Sequence, residues 1–244
     1  MRRYNRYWTV ACVGITAVAA AGCESIPSSI VVDTDDIYAD ISVVGGDKST
    51  DIGVLLKEDG EDGDVLKLVP GDHLKATKNG ETTTEFTKAG DGSYHATLKG
   101  SESGAKVTVA FERDEADDAN KSTAVLPEAF SLKLDMDDSE ITRDNNVHIA
   151  WDGTADKDDE ITWSVQGECI DAATGTTKDD GEDAIGTRQI LVADGWKGSS
   201  CEVTITLERF ADGVIDPKFG RGGTVVAIQR RTVVFTSTPG IEEE

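Results

Sequence analysis

The sequence predicts an all-β protein: two tandem antiparallel β-sandwiches that follow an N-terminal export segment. Three observations carry that expectation. Apolar residues recur at every second position through most of the chain, as in strands that bury one face. Glycines such as Gly60, Gly63, Gly71, Gly92 and Gly104 divide the runs at turn-like intervals. No window of useful length keeps the i, i+3, i+4, i+7 apolar spacing of a helix.

The first alternating run is Ile37, Ala39, Ile41 and Val43, and the second is Ile52, Val54 and Leu56. Leu66 and Leu68 follow, then Leu74 and Ala76, then the hairpin pair Asn79-Gly80 with a Thr-rich return through Phe86. Tyr94, Ala96 and Leu98 make a further strand, and Val107, Val109 and Phe111 another. About seven short strands punctuated in this way suffice for a sandwich. The second half opens with Phe130, Leu132 and Leu134, then Val147, Ile149 and Trp151, then Ile161, Trp163 and Val165 running into Cys169. A short strand at Ile190 and Val192, a strand from Cys201 through Leu207 and a long one from Thr224 to Thr236 complete it.

A weak internal repeat supports two copies of one fold. Ala105 to Arg113 (AKVTVAFER) aligns with Cys201 to Arg209 (CEVTITLER), each behind a Gly/Ser turn. The alignment makes each segment the penultimate strand of its copy. The expected domains are therefore 37–126 and 127–239, with 23–36 as a tether and 240–244 as an acidic tail.

Residues 1–22 read as an export signal. Arg2, Arg3 and Arg6 precede an apolar run of 14 residues from Trp8 to Ala21, which ends in small residues. That run is shorter than the ~20 residues of a spanning helix. The ending Ala20-Ala21-Gly22-Cys23 resembles the lipobox of bacterial lipoproteins, with Ala20 standing where that family usually has a larger aliphatic residue. The resemblance implies that Cys23 becomes the mature N-terminus and carries more than one acyl chain. Two or more chains anchor a protein stably. Glu24, rather than Asp, follows the cysteine, which under the best-known lipoprotein sorting rule implies the outer membrane.

The chain has 24 basic and 47 acidic residues, a net charge of −23, and loss of residues 1–22 with their three arginines takes it to −26. Such an excess excludes nucleic acid and anionic lipid as partners of the folded surface. Of the four cysteines, Cys12 leaves with the signal and Cys23 is the lipid site. Cys169 and Cys201 remain, an even pair in an exported chain, and read as one disulfide. Both share a strand face with core residues, and the third and sixth strands of a sandwich bring such positions together. Reduction is expected to weaken the second domain and spare the first.

The whole pattern over about 37–239 is similar to immunoglobulin-like or fibronectin type III-like domains of bacterial surface lipoproteins. Here Trp163 precedes Cys169, whereas antibody-type domains place the tryptophan after the first cysteine, so the likeness is to the generic sandwich. The resemblance implies a lipid-anchored, non-catalytic binding or structural module of the cell envelope, with an envelope protein or glycan as partner. The rival expectation is a calcium-dependent adhesion or carbohydrate-binding protein. Its candidate ligands are Asp33, Asp35 and Asp36, and Asp135, Asp137 and Asp138, since calcium takes six to eight oxygens from flexible loops. Asp156/Asp158/Asp159/Glu160 and Asp179/Asp180/Glu182/Asp183 are further acidic runs, and none matches a calcium-loop motif. No nucleophile elbow, zinc motif or phosphate loop is present, and His73, His95 and His148 are scattered over strands.

Overall fold

The computed structural model describes residues 28–29, 32–135, 140–143, 145–154, 159–187, 191–196, 198 and 200–239. The export segment, Cys23, Asp137, Asp138, Asp156, Asp158, Ile190 and the acidic tail lie outside them. The first half contributes β1 (Ile37–Gly45), β2 (Ser49–Glu58), β3 (His73–Lys78), β4 (Thr82–Glu85), β5 (Thr87–Lys88), β6 (Tyr94–Lys99), β7 (Lys106–Glu112) and β8 (Ala119–Val125). The second contributes β9 (Leu132–Leu134), β10 (Glu140–Thr142), β11 (Val147–Trp151), β12 (Glu160–Gly167), β13 (Ile170–Lys178), β14 (Glu182–Ile185), β15 (Cys201–Asp212) and β16 (Gly223–Thr238). The fold is all-β and both halves are sandwiches.

One large sheet serves both halves. Its order is β13-β12-β15-β16-β1-β2-β6-β5, with β10 also on β16. The sheet β4-β3-β7-β8 covers its first part and the sheet β14-β11-β9 its second. Alternation along the strands then makes two apolar clusters. Ile41, Val43, Ile52, Val54, Leu74, Val107 and Phe111 belong to the first. Phe130, Ile149, Trp151, Ile161, Trp163, Ile205 and Leu207 belong to the second.

The hairpin β15–β16 belongs to both clusters. Its base packs in the second core through Val203, Ile205 and Phe235. Its tip supplies Phe219, Val225 and Ala227 to the first core, where Phe219 stacks on Phe111 with ring centroids 6.2 Å apart. The turn between the strands is tied down by buried Asp216, which accepts from the Lys121 backbone N–H at 2.7 Å and donates its own N–H to the Ser122 hydroxyl at 3.1 Å. The start of β16 runs parallel to β1, with Ala39 opposite Gly223 and Gly45 opposite Gln229. Glycine is required there. A Cβ on Gly223 would lie 2.1 Å from the Ala39 carbonyl oxygen, and φ is +154°. The long strand expected to close the second domain thus spends its first half in the first, and two of its pairings, with β1 and β10, are parallel.

Several local expectations change. Residues 28–36 were read as the end of a tether, yet the described ones are docked. Ser28 bridges Lys67, Ser29 and Thr34 are buried, and Val32 joins the first core. Leu66 and Leu68 line the core from a loop touched only by isolated bridges. β13 and β14 escaped notice because their Thr, Ala, Gly and acidic residues show no apolar alternation.

Cys169 and Cys201 are joined, with Cα atoms 5.9 Å apart and a sequence separation of 32. Closing a loop of that length stabilises the fold by about 3.7 kcal/mol on the chain-entropy model. Because β16 is common to both cores, reduction is expected to lower the stability of the first as well as the second. Thermal melts with and without reductant measure this; an unchanged midpoint would contradict it.

Candidate functional site

The waist between the two cores is the most elaborate polar region of the described chain. Period-two phasing along β15 turns Val203, Ile205, Leu207 and then Arg209 inward. The Arg209 guanidinium therefore arrives in the interior, 5% exposed, against Asp179. It donates from Nε to Asp179 Oδ2 at 2.5 Å and from Nη2 to Oδ1 at 2.7 Å, a two-pronged pairing that the planar fork allows. Nη1 donates to the Glu128 carbonyl at 2.6 Å and Nη2 to the Asp152 carbonyl at 2.9 Å. Trp151 Nε1 completes the Asp179 carboxylate at 2.7 Å. A buried charge is tolerated only when paired and hydrogen-bonded in this way.

Phe130 lies between two cations. Arg209 stands 4.8 Å and Arg231 5.6 Å from its ring centroid, within cation–π range. Arg231 also donates to the Gly45 carbonyl at 3.3 Å and to Gln229 at 3.3 Å. Gln229, wholly buried, donates to the Ser101 carbonyl at 2.8 Å. Gly45 leaves room for it, since a Cβ there would lie 2.9 Å from the Gln229 amide oxygen. Nearby, Ser131 donates to Asp152 from its backbone at 2.9 Å and its hydroxyl at 2.8 Å. These bonds, with a smaller contribution from the Arg209 charge, hold the Asp152 carboxyl below its usual pKa. This contribution to stability is present above the unfolded-state pKa and lost as the pH falls through the lowered value.

The first half holds a looser counterpart, in which Arg113 Nε and Asp72 Oδ2 face each other without a hydrogen bond. Arg113, the residue aligned with Arg209 in the repeat, stands just past β7 with its side chain buried. It donates to the Val32 carbonyl and the Thr34 hydroxyl, both at 2.9 Å, and also to the Ser29 carbonyl. It lies 3.5 Å from Asp72 and 5.3 Å from the Phe111 centroid. Each arginine stands near the end of a penultimate strand and bonds to residues that enter its sandwich: Ser29, Val32 and Thr34 ahead of β1, Glu128 ahead of β9. An arginine on the inward phase of an apolar strand was the available sequence signal for both.

Above the Arg209 network opens a cleft of about 540 Å³, lined by Pro127, Glu128, Thr154, Glu160, Asp179 and Phe210 among others. Its floor is saturated, because Arg209 and Asp179 spend their hydrogen bonds on each other and on neighbours. The rim carboxylates Glu128, Asp159 and Glu160 are exposed. The aromatic wall, Phe210, is 47% exposed. An isolated bridge joins Val214 to Thr123, and Val214 and Val125 are both exposed.

The predicted ligands are dispersed. Asp33 and Asp35 are exposed on either side of buried Thr34. Asp36 pairs with Arg221 at 2.6 Å, and Asp59 lies 3.3 Å from the same guanidinium. Asp135 is exposed at the end of β9, its N–H bonded to the His148 carbonyl. Among the described residues no three His, Cys, Asp or Glu side chains converge as a metal site. Asp179, read as one acid in a solvated run, is instead the buried partner of Arg209.

No family model matches the chain, and no curated protein does. Solved structures give low-scoring likenesses. The adhesin InvE of Yersinia pseudotuberculosis aligns at 13% identity and a TM-score of 0.26, covering 84% of this chain and 60% of that one. Two fibronectin type III domains of chicken tenascin align at 10% identity and 0.24, covering 82% and 99%. The fibronectin(III)-like modules of Clostridium thermocellum CbhA align at 14% and 0.24, covering 85% and 94%. At such scores the fold rests on the strand pairing itself.

Arg209→Ala would leave a buried carboxylate without its cation, at a cost of about 3–5 kcal/mol. Replacing Asp179 by Ala at the same time should recover part of that loss. Denaturant unfolding of the two single variants and the double one measures the coupling; strictly additive losses would contradict the pairing.

Proposed function

We propose that this chain is a lipid-anchored cell-envelope protein acting as a non-catalytic binding or structural module, held at the outer membrane by an acylated Cys23. The Ala20-Ala21-Gly22-Cys23 ending behind a basic and apolar start supports the anchor. The observation that carries the module reading is the waist. Its buried ionisable groups, Arg209 and Asp179, are consumed by one another and by neighbouring carbonyls, while Phe210 is left to solvent on the cleft wall. Buried polar groups saturated by one another serve architecture. Exposed apolar side chains grouped with a cleft serve contact.

The docking of Ser28 on Lys67 sets how far the body can stand from the membrane. Five residue steps separate it from Cys23, at most about 18 Å of extended chain. The body is therefore held close to the lipid headgroups, and its strong acidity keeps it from adsorbing to them. Arg221 already neutralises Asp36, which weighs against calcium at the first acidic cluster.

Replacing Cys23 with Ser is expected to move the protein from the membrane fraction to the soluble envelope fraction, with loss of the acylated N-terminal peptide in mass spectra. Membrane retention equal to that of the parent chain would contradict the anchor.

A further inference from the structure

The large sheet carries both smaller sheets on its inner face, and its outer face is open among the described residues. Over the second half that open face is a mesh of hydroxyls. Thr232 of β16 stands opposite Thr206 of β15, Thr206 opposite Ser164 of β12, and Ser164 opposite Thr174 of β13, one row across four strands. Thr162 and Thr176 pair in the next row, and Thr204 stands in the row on the other side. Directly paired residues share a face, so all of these point away from the core that holds Trp163, Val165, Ile205 and Leu207. Neighbours in such a mesh lie about 4.8 Å apart across strands and about 6.7 Å apart along them. Thr174 and Thr232 are exposed, and Thr206 and Ser164 are half-buried. None of these four hydroxyls is bonded to another described residue. The comparable row over the first core is partly closed on itself, with Thr77 Oγ1 2.9 Å from Thr83 Oγ1, and the Lys75–Glu112 ion pair lies beside it.

We propose that this outer face is the contact surface of the binding module, the reading on which the inference rests, and that its occupant is an uncharged glycan. Charge selects the class of ligand. The chain has 47 acidic and 24 basic residues, yet the only charges in these three rows, Glu208 and Arg230, neutralise each other at 2.5 Å. A polyanion would meet the repulsion of a net charge of −23, and a cation would be drawn to the acidic loops instead of this face. A neutral ligand meets neither effect. Chemistry then separates a glycan from a protein. Protein contacts draw on aromatic, Met and Arg anchors seated in pockets, and Ser and Thr contribute little to them. A sugar ring carries hydroxyls at its rim and C–H bonds on its faces. Each Ser or Thr hydroxyl donates one hydrogen bond and accepts two, which suits the rim. The Thr methyls and the Phe210 ring, 47% exposed and two residues beyond Glu208 on β15, suit the faces. A hydrogen bond exchanged with water contributes little by itself, so affinity needs many such contacts at once, as a polymer of equivalent rings supplies.

The test is native electrophoresis of the full chain in detergent through gels that contain dextran, mannan, galactan or a β-1,3-glucan, and separately alginate or polygalacturonate. Retardation by at least one neutral polysaccharide and by neither anionic one is expected. Thr206→Val combined with Thr232→Val keeps the shape and strand preference of both side chains and removes two hydroxyls. That double variant should bind about tenfold more weakly. Thr108→Val, on the outer face of the sheet over the first core, should bind like the parent. Retardation by none of the neutral polysaccharides, or by an anionic one, would overturn the glycan assignment. A double variant that binds like the parent, or more tightly as an apolar protein contact would, overturns the placement on this face; retained binding in that case still supports a binding module with its contact elsewhere. Neither result touches the anchor, which fractionation of Cys23→Ser tests by itself.

Discussion

The β15–β16 hairpin is the constraint on which the rest of the structure depends. Its base closes one apolar core and its tip closes another, so neither core is complete without it. This follows from its length. Twelve and sixteen residues are roughly two and three times the common strand length, and the register runs unbroken from Cys201 opposite Ser237 to Asp212 opposite Val226. Side chains on one face of β16 stay inward throughout: Val225, Ala227 and Gln229, then Val233 and Phe235. A single slip of one residue would turn both sets outward together.

Where one core gives way to the other, the hairpin must cross a zone that neither apolar cluster fills. Arg209, Gln229 and Arg231 fill it, the two guanidinium groups against Phe130 and all three joined to carbonyls of Gly45, Ser101, Glu128 and Asp152. Arginine suits this position better than lysine because its fork engages a carboxylate and several carbonyls at once. A complete buried ion pair contributes little net stability relative to a well-packed apolar substitute, whereas half of one is costly. The waist thus acts mainly by specifying one arrangement of the halves. It also accounts for the paired roles of Arg113 and Arg209. An inward arginine at the same place in each copy fastens the chain where it enters each sandwich.

Alternation made the strands legible, and the strongest runs, such as Ile37 to Val43 and Val203 to Leu207, lie where their phase puts them. The disulfide was legible for the same reason, since phase and strand order together bring Cys169 to Cys201. Partner choice was not. Nothing in the residues of β16 says that its first half pairs parallel with β1, because pairing is decided by the packing of Phe219 and Val225 some 180 residues away in sequence from β1. Exposed edge strands were illegible too: with neither face of β13 deeply buried, its residues need no apolar period. At the candidate site, the acidic run containing Asp179 looked uniform, although one member is wholly buried and its neighbour Asp180 is exposed. Composition cannot separate a structural carboxylate from a solvated one. Position opposite an inward arginine does.

The hairpin belongs to both apolar clusters and so couples them. If the hairpin joins the two cores as described, they share one unfolding transition. Hydrogen exchange followed by mass spectrometry at increasing denaturant, read at β7 in the first core and β12 in the second, tests this directly. The account predicts the same opening free energy and the same denaturant dependence at both strands. Opening of one strand at clearly lower denaturant, while the other stays protected, would contradict it.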